Sequence, residues 1–181
     1  MIWFDDMRIG DRYDVGSQLF TAEGIKSFAR RFDPQPFHVD EAAAARSHFG
    51  ALCASGWHTV IAWMPLMIAY RNRVSAEMRA RGETPAITGP APGVTDLKWL
   101  RPVHAGDTVT YVTEVTALRR SRSRPQWGLA TLLTTGVNQH AETVLSFVSL
   151  SFVPVREGRV DSQIDRDADG QVGDYVDDLG R

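Results

Sequence analysis

Residues 57–80 read WHTVIAWMPLMIAYRNRVSAEMRA, and the first half is apolar on nearly every side of a helix: Trp57, Val60, Ile61, Trp63, Met64, Leu66, Met67 and Ile68. A helix without a polar face has to be surrounded. Its most apolar run, residues 60–70, is far short of the ~20 residues a bilayer span needs, so the cover has to be protein. Pro65 removes one helical hydrogen bond and should kink the helix near Ile61. The second half of the chain supplies the cover. Residues 94–101, 108–118, 127–137 and 143–153 are rich in β-branched and aromatic side chains, and Val148, Leu150 and Phe152 alternate in the last of them. Ala105-Gly106-Asp107 and Asn138-Gln139-His140 are turn signals between strands, while residues 83–93, with three prolines and two glycines, form a loop. One buried helix followed by a meander of strands is an α+β pattern.

The N-terminal third is organised around a bend. Ile9-Gly10-Asp11 turns into a strand over residues 13–20, and Thr21 can cap a short helix with Glu23 in its first turn and Ile25, Phe28, Ala29 and Phe32 on one side. That helix must stop near Phe32, because Pro34 and Pro36 push Asp33 and Gln35 out of the helical region. Fully extended, Asp33 and His38 could stand roughly 17 Å apart; the prolines favour a bend that lets them meet. Asp40 can cap a second short helix, and Ala54-Ser55-Gly56 leads into the long one.

Two readings of Asp33 and His38 compete. Beside prolines they are ordinary turn residues; as a pair they are an acid and an imidazole suited to proton transfer, since imidazole ordinarily titrates near pH 6.5. Gly56, at the start of the apolar helix, offers N–H groups and a dipole that favour negative charge, a place to hold a developing anion. A helix-start glycine selected for backbone freedom is the plainer alternative. Ser55 and His58 flank it as pocket lining. His48, His104 and His140 lack ligand spacing and read as surface or turn residues, and Trp57, Trp63 and Trp99 read as core.

The pattern FAxxFDPQPFHxD, then FG, then ASGWH, and later LKWLRPVHAGDTV resembles the MaoC-like dehydratases, which include the R-specific enoyl-CoA hydratases. It runs from about Trp3 to Val153. The hydratase motif of that family, D-x-N-P-x-H, falls on Asp33, Pro36 and His38, with Gln35 where Asn is usual. Gly56 matches the glycine whose N–H helps hold the thioester oxygen; many relatives have His where Ser55 stands. The resemblance implies a hotdog fold, in which a curved antiparallel β-sheet wraps around a long central helix. It implies reversible hydration of a 2-enoyl-CoA to a 3-hydroxyacyl-CoA in fatty-acid metabolism. Catalysis would rest on Asp33, His38 and Gly56, with Gln35, Ser55 and His58 around the acyl thioester. No metal or redox cofactor is implied, coenzyme A being part of the substrate, and relatives pair two hotdogs, so a homodimer or higher even oligomer is expected.

Charge narrows the partners. Formal net charge is −2 over 181 residues, so no basic field invites nucleic acid or an anionic membrane. Arg119, Arg120, Arg122 and Arg124 form a local basic run. It is either a solvated strand connection or, through Arg122 and Arg124, a grip on coenzyme A phosphates, with Lys98 and Arg101 as further candidates. Residues 156–181 hold eight acids and four arginines. The reading is one hotdog domain over 1–157 and an acidic, loosely held tail over 158–181 that contributes little to folding. Asp165 to Gly170 matches the opening of a calcium loop, but Val176 stands where its bidentate acid belongs. A single cysteine, Cys53, allows no internal disulfide. MIWFDDMRIGDRY has acids where a secretory signal is basic, so a cytoplasmic protein is expected.

Two other functions remain open. Hotdog thioesterases commonly use an acid on or near the central helix, and the first carboxylate after Gly56 is Glu77, which weakens that alternative. A non-catalytic acyl-CoA-binding module would have no use for both Asp33 and His38.

Overall fold

The computed structural model describes residues 2–87 and 89–156. The expected acidic tail and its calcium-loop opening lie outside the described residues. After a 3₁₀ turn at Phe4–Asp6 come strand β1 (Arg12–Leu19) and helices α1 (Ala22–Phe32), α2 (Pro36–Val39), α3 (Glu41–Ala45) and α4 (Gly56–Ala80). Strands β2 (Gly93–Trp99), β3 (Thr108–Arg120), β4 (Trp127–Val137) and β5 (Thr143–Pro154) complete the chain. The five strands form one antiparallel sheet in the order β1-β3-β4-β5-β2. With α4 laid across it, this is the hotdog fold, and it is α+β.

Local chemistry explains the short helices. The Thr21 hydroxyl accepts from the Gly24 N–H, Ile25 and Ala29 are buried without residue, and the Asp33 N–H closes α1 on the Ala29 carbonyl. Pro36 occupies the first turn of α2, where its missing N–H costs nothing. Asp40 caps α3 by accepting from the Ala43 N–H.

α4 continues through Pro65 where a kink near Ile61 was expected. Proline deprives only the carbonyl four residues back, and Ile61 lies on the open side of the helix, where water can serve that carbonyl. Thr59, Trp63 and Met67, at i, i+4 and i+8, are buried. Trp63 meets Phe147 of β5 edge-on at 5.1 Å, and the Tyr111 hydroxyl of β3 donates to the Thr59 carbonyl at 2.6 Å. The other side is uncovered: Trp57, Ile61, Met64 and Ile68, at i, i+4, i+7 and i+11, are each about half exposed. The sheet therefore encloses only one side of a helix that is apolar all round.

The core has two centres. One joins α4 to Phe20, Ile25, Leu52, Tyr111 and Leu145; the other, around Phe4, Val115, Leu118, Leu132 and Val153, sits at the far end of the sheet. The first holds the segment from α1 to the start of α4 in place, and the candidate site lies there.

Candidate functional site

The chain leaves α1 at Phe32, turns through the two prolines, and returns to the N-terminus of α4, so that Asp33, His38 and Ser55 converge. His38 is buried on α2. Its Nδ1 lies 2.7 Å from the Cys53 carbonyl oxygen. A carbonyl only accepts, so Nδ1 carries the hydrogen, and in the neutral ring Nε2 presents a lone pair. That nitrogen faces Asp33 Oδ2 at 3.6 Å.

Asp33 is held on its other sides. The Ser55 hydroxyl donates to Oδ2 at 2.6 Å and the Gln35 amide donates to Oδ1 at 2.9 Å. Burial works to raise the carboxyl pKa, but the Ser55 and Gln35 hydrogen bonds and the neighbouring His38 charge outweigh it and hold Asp33 below its ordinary value. The ionised carboxylate thus adds to folded-state stability above the ordinary carboxylate pKa, and this contribution is lost as pH falls through the lower folded-state value. Ser55→Ala removes the nearest donor, so the Asp33 pKa should rise. The acid limb of the kcat/KM profile should move to higher pH, and kcat should fall by roughly tenfold, the worth of a hydrogen bond to a charged group. An unmoved acid limb would mean that Asp33 ionisation does not control the rate.

Gly56 opens α4, with Ser55 at the cap position making no side-chain cap bond, so the first-turn N–H groups stay available. The Trp99 indole lies directly on Gly56: a Cβ there would sit 2.5 Å from Trp99 Cε2 and 2.6 Å from Nε1. Trp57 packs edge-on against Trp99 at 5.3 Å. Only Trp63 of the three tryptophans expected in the core is buried; Trp57 and Trp99 are 55% and 47% exposed and frame the approach to Gly56. Trp99 is the residue that sequence reasoning missed. Its position as the last residue of β2, next to Leu100-Arg101-Pro102, was the available signal, because a strand end leaves one side of a ring uncovered.

His58 stacks on Phe28 at 4.5 Å and meets Phe20 edge-on, and its Nδ1 is buried without a partner. Burial lowers its pKa, which keeps the ring neutral near pH 7. It lines the wall behind Gly56. Cys53 is buried beside His38, with Sγ 3.7 Å from Nδ1, and burial pushes its thiol up to about 11.

Lys98 and Arg101 flank Trp99 at the Gly56 end of the sheet, both exposed, and Arg101 pairs with Glu142 at 3.5 Å. Arg122 and Arg124 are not brought to the site. Tyr111 sits beside the first turn of α4, and the nine residues of β3 from there to Arg120 span roughly 30 Å. Arg120 is committed to Asp5 at 3.1 Å and Arg124 lies over the Phe152 ring. Among the described residues no group of three or more His, Cys, Asp or Glu is placed to hold a metal, and no described helix is long and apolar enough to cross a membrane.

Residues 7–147 match the family described as "FAS1-like, dehydratase domain region". The crystallised MaoC-like dehydratase of Rhodospirillum rubrum is 33% identical, with 86% of this chain covering 99% of that one at a TM-score of 0.66. The chain belongs to the MaoC-like dehydratase family. A second relative, the uncharacterized protein YdeM of Bacillus subtilis, is 29% identical over 75% of this chain and 86% of its own length. The (R)-hydratase of A. caviae involved in PHA biosynthesis shares the fold, at 24% identity and a TM-score of 0.60 over 82% of this chain and 98% of that one. In this MaoC-like protein the matched region contains Asp33, His38, Ser55, Gly56 and Trp99.

Proposed function

We propose that this MaoC-like protein reversibly hydrates a 2-enoyl-CoA to a 3-hydroxyacyl-CoA, without a metal or redox cofactor, coenzyme A entering as part of the substrate. The observation that carries the reading is that His38 Nε2 and Asp33 Oδ2 face each other at 3.6 Å, beyond a direct hydrogen bond; with Nδ1 carrying the hydrogen, the neutral form of the ring makes both of them acceptors. Two acceptors do not bond to each other; a water donating one hydrogen to each, at roughly 2.8 Å, satisfies both. Its remaining lone pairs then point outward. Attack on C3 forms the C–O bond as His38 or Asp33 takes one water proton, and the same pair delivers a proton to C2. Negative charge develops on the thioester oxygen, where the Gly56 N–H stabilises it. Lys98 and Arg101, exposed beside Trp99 at the same end, are the proposed partners of the coenzyme A phosphates.

The test is to add crotonyl-CoA and a longer 2-enoyl-CoA and to follow the conjugated double bond and free thiol together. Loss of the alkene without thiol is the expected result. Thiol release would make the protein a thioesterase, and neither change would leave a binding module.

The same reading includes an even oligomer. Trp57, Ile61, Met64 and Ile68 on α4, with Val94 and Leu100 on the edge strand β2 and just beyond it, present an apolar face beside an unpaired strand edge, and such surfaces are ordinarily covered. Sedimentation at micromolar concentration should give twice the chain mass or a higher even multiple, and Ile61→Glu should shift it to the monomer. A monomeric wild type contradicts the assembly.

A further inference from the structure

Trp99 brings an indole N–H to the N-terminus of α4. Its Nε1 stands 2.6 Å from the position that a Cβ on Gly56 would take. That position is roughly 2.5 Å from the glycine's own nitrogen, so the two nitrogens lie within about 5 Å of each other, and donors this close can both reach one oxygen at ~2.9 Å. An indole nitrogen only donates. The Trp3 N–H is spent on the Thr84 carbonyl at 2.8 Å, whereas the Trp99 N–H meets no acceptor among the described residues. Trp99 is 47% exposed, and no protein acceptor has to be displaced before an incoming oxygen takes the N–H.

The register of β2 sets this placement. Val94 pairs with Ser149 and Trp99 with Leu145, so β2 advances five residues while β5 covers four. The extra residue is a bulge between Thr95 and Lys98, with Asp96 at φ 51. Paired residues share a face of the sheet. The bulge therefore puts Trp99 on the face of buried Leu145, toward the α4 core, and without it the ring would alternate to the outer face. Trp57 packs edge-on against the indole at 5.3 Å. We infer that the Trp99 indole N–H is a second donor to the thioester oxygen, beside the Gly56 N–H, and that Trp99 is thus a catalytic residue; the inference rests on the hydratase reading. Charge grows on that oxygen as water adds to C3, so a donor there is stronger in the transition state than in the ground state.

The test uses two changes at one position. Trp99→Phe keeps an aromatic ring and removes the N–H, and 3-benzothienylalanine placed at position 99 keeps the bicyclic shape with sulfur in place of the N–H. Each should lower kcat for crotonyl-CoA about tenfold, the lower end for a hydrogen bond to a charged group, with KM and Tm near wild type. The direct readout is the infrared carbonyl band of isotope-labelled crotonyl-CoA bound in the Asp33→Asn background, where turnover is slow. That band should move to higher frequency when either change at position 99 is added, because the oxygen loses a donor. Rates and bands like those without the changes overturn the inference and leave the hydratase reading standing. A lower rate with an unmoved band makes Trp99 a packing residue and overturns it too. If the wild type fails to hydrate crotonyl-CoA while the band still moves, the hydratase reading falls and Trp99 stands as a donor to the bound thioester; absence of any bound thioester overturns both.

Discussion

Asp33→Asn is expected to lower kcat for enoyl-CoA hydration by about 10²–10⁴-fold, with circular dichroism and Tm close to wild type. The substitution keeps shape and volume but changes one oxygen acceptor into an amide donor. Oδ2 now accepts from Ser55 and faces His38 Nε2. With Asn, the new NH2 either replaces the acceptor that faces Ser55 and the water or sets a second donor against the Gln35 amide, and in both orientations the negative charge that lets the residue take a proton from the water is gone. In the proposed mechanism the loss falls on kcat more than on KM, since the water serves the transition state and the acyl thioester binds elsewhere. His38→Ala should cost the same order. Because the proposal has the two residues hold one water, the double variant should be little worse than either single one. Steady-state kinetics of the four proteins decide the matter. If Asp33→Asn hydrates a good substrate within a few-fold of wild type, the site is misassigned.

Much of this arrangement is legible in the sequence because it is local. The prolines that stop α1 and start α2 fix the bend between Asp33 and His38, and the caps at Thr21 and Asp40 use side chains within three residues of their partners. The strands announce themselves by composition, and their observed bounds differ from the expected ones by a residue or two. Long-range contacts are different. Nothing in the spacing reveals that the Cys53 carbonyl fixes the His38 tautomer, since a backbone oxygen carries no residue signature. The pairing of Arg120 with Asp5 joins residues 115 apart, and it removes one arginine from a run that reads locally as a phosphate grip. The apolarity of the first half of α4 states that all sides need cover; it does not state that the sheet leaves one side exposed. Trp57 and Trp99 were misread for the same reason, as aromatic character gives no distinction between a core and a surface that flanks a site.

Gly56→Ala tests the one part of the site that has no side chain, and it should lower kcat/KM by about 10²-fold. The added methyl would lie 2.5–2.9 Å from three atoms of the Trp99 indole, well inside ordinary van der Waals contact, so either the ring or the first turn of α4 has to move. Trp57 packs against Trp99 and opposes simple displacement of the ring. If the backbone gives way, the Gly56 N–H moves from the position where it meets the developing charge, and an error of ~1 Å there is enough for a loss of this order. The second variant separates this cause from others. In Gly56→Ala/Trp99→Ala the obstacle is gone while the N–H remains, so activity should return to that of Trp99→Ala alone. The coupling between the two positions then measures how far the ring sets the position of the N–H. Full activity in Gly56→Ala, or a double variant as poor as Gly56→Ala, would show that the Gly56 N–H does not hold the thioester oxygen in the way proposed.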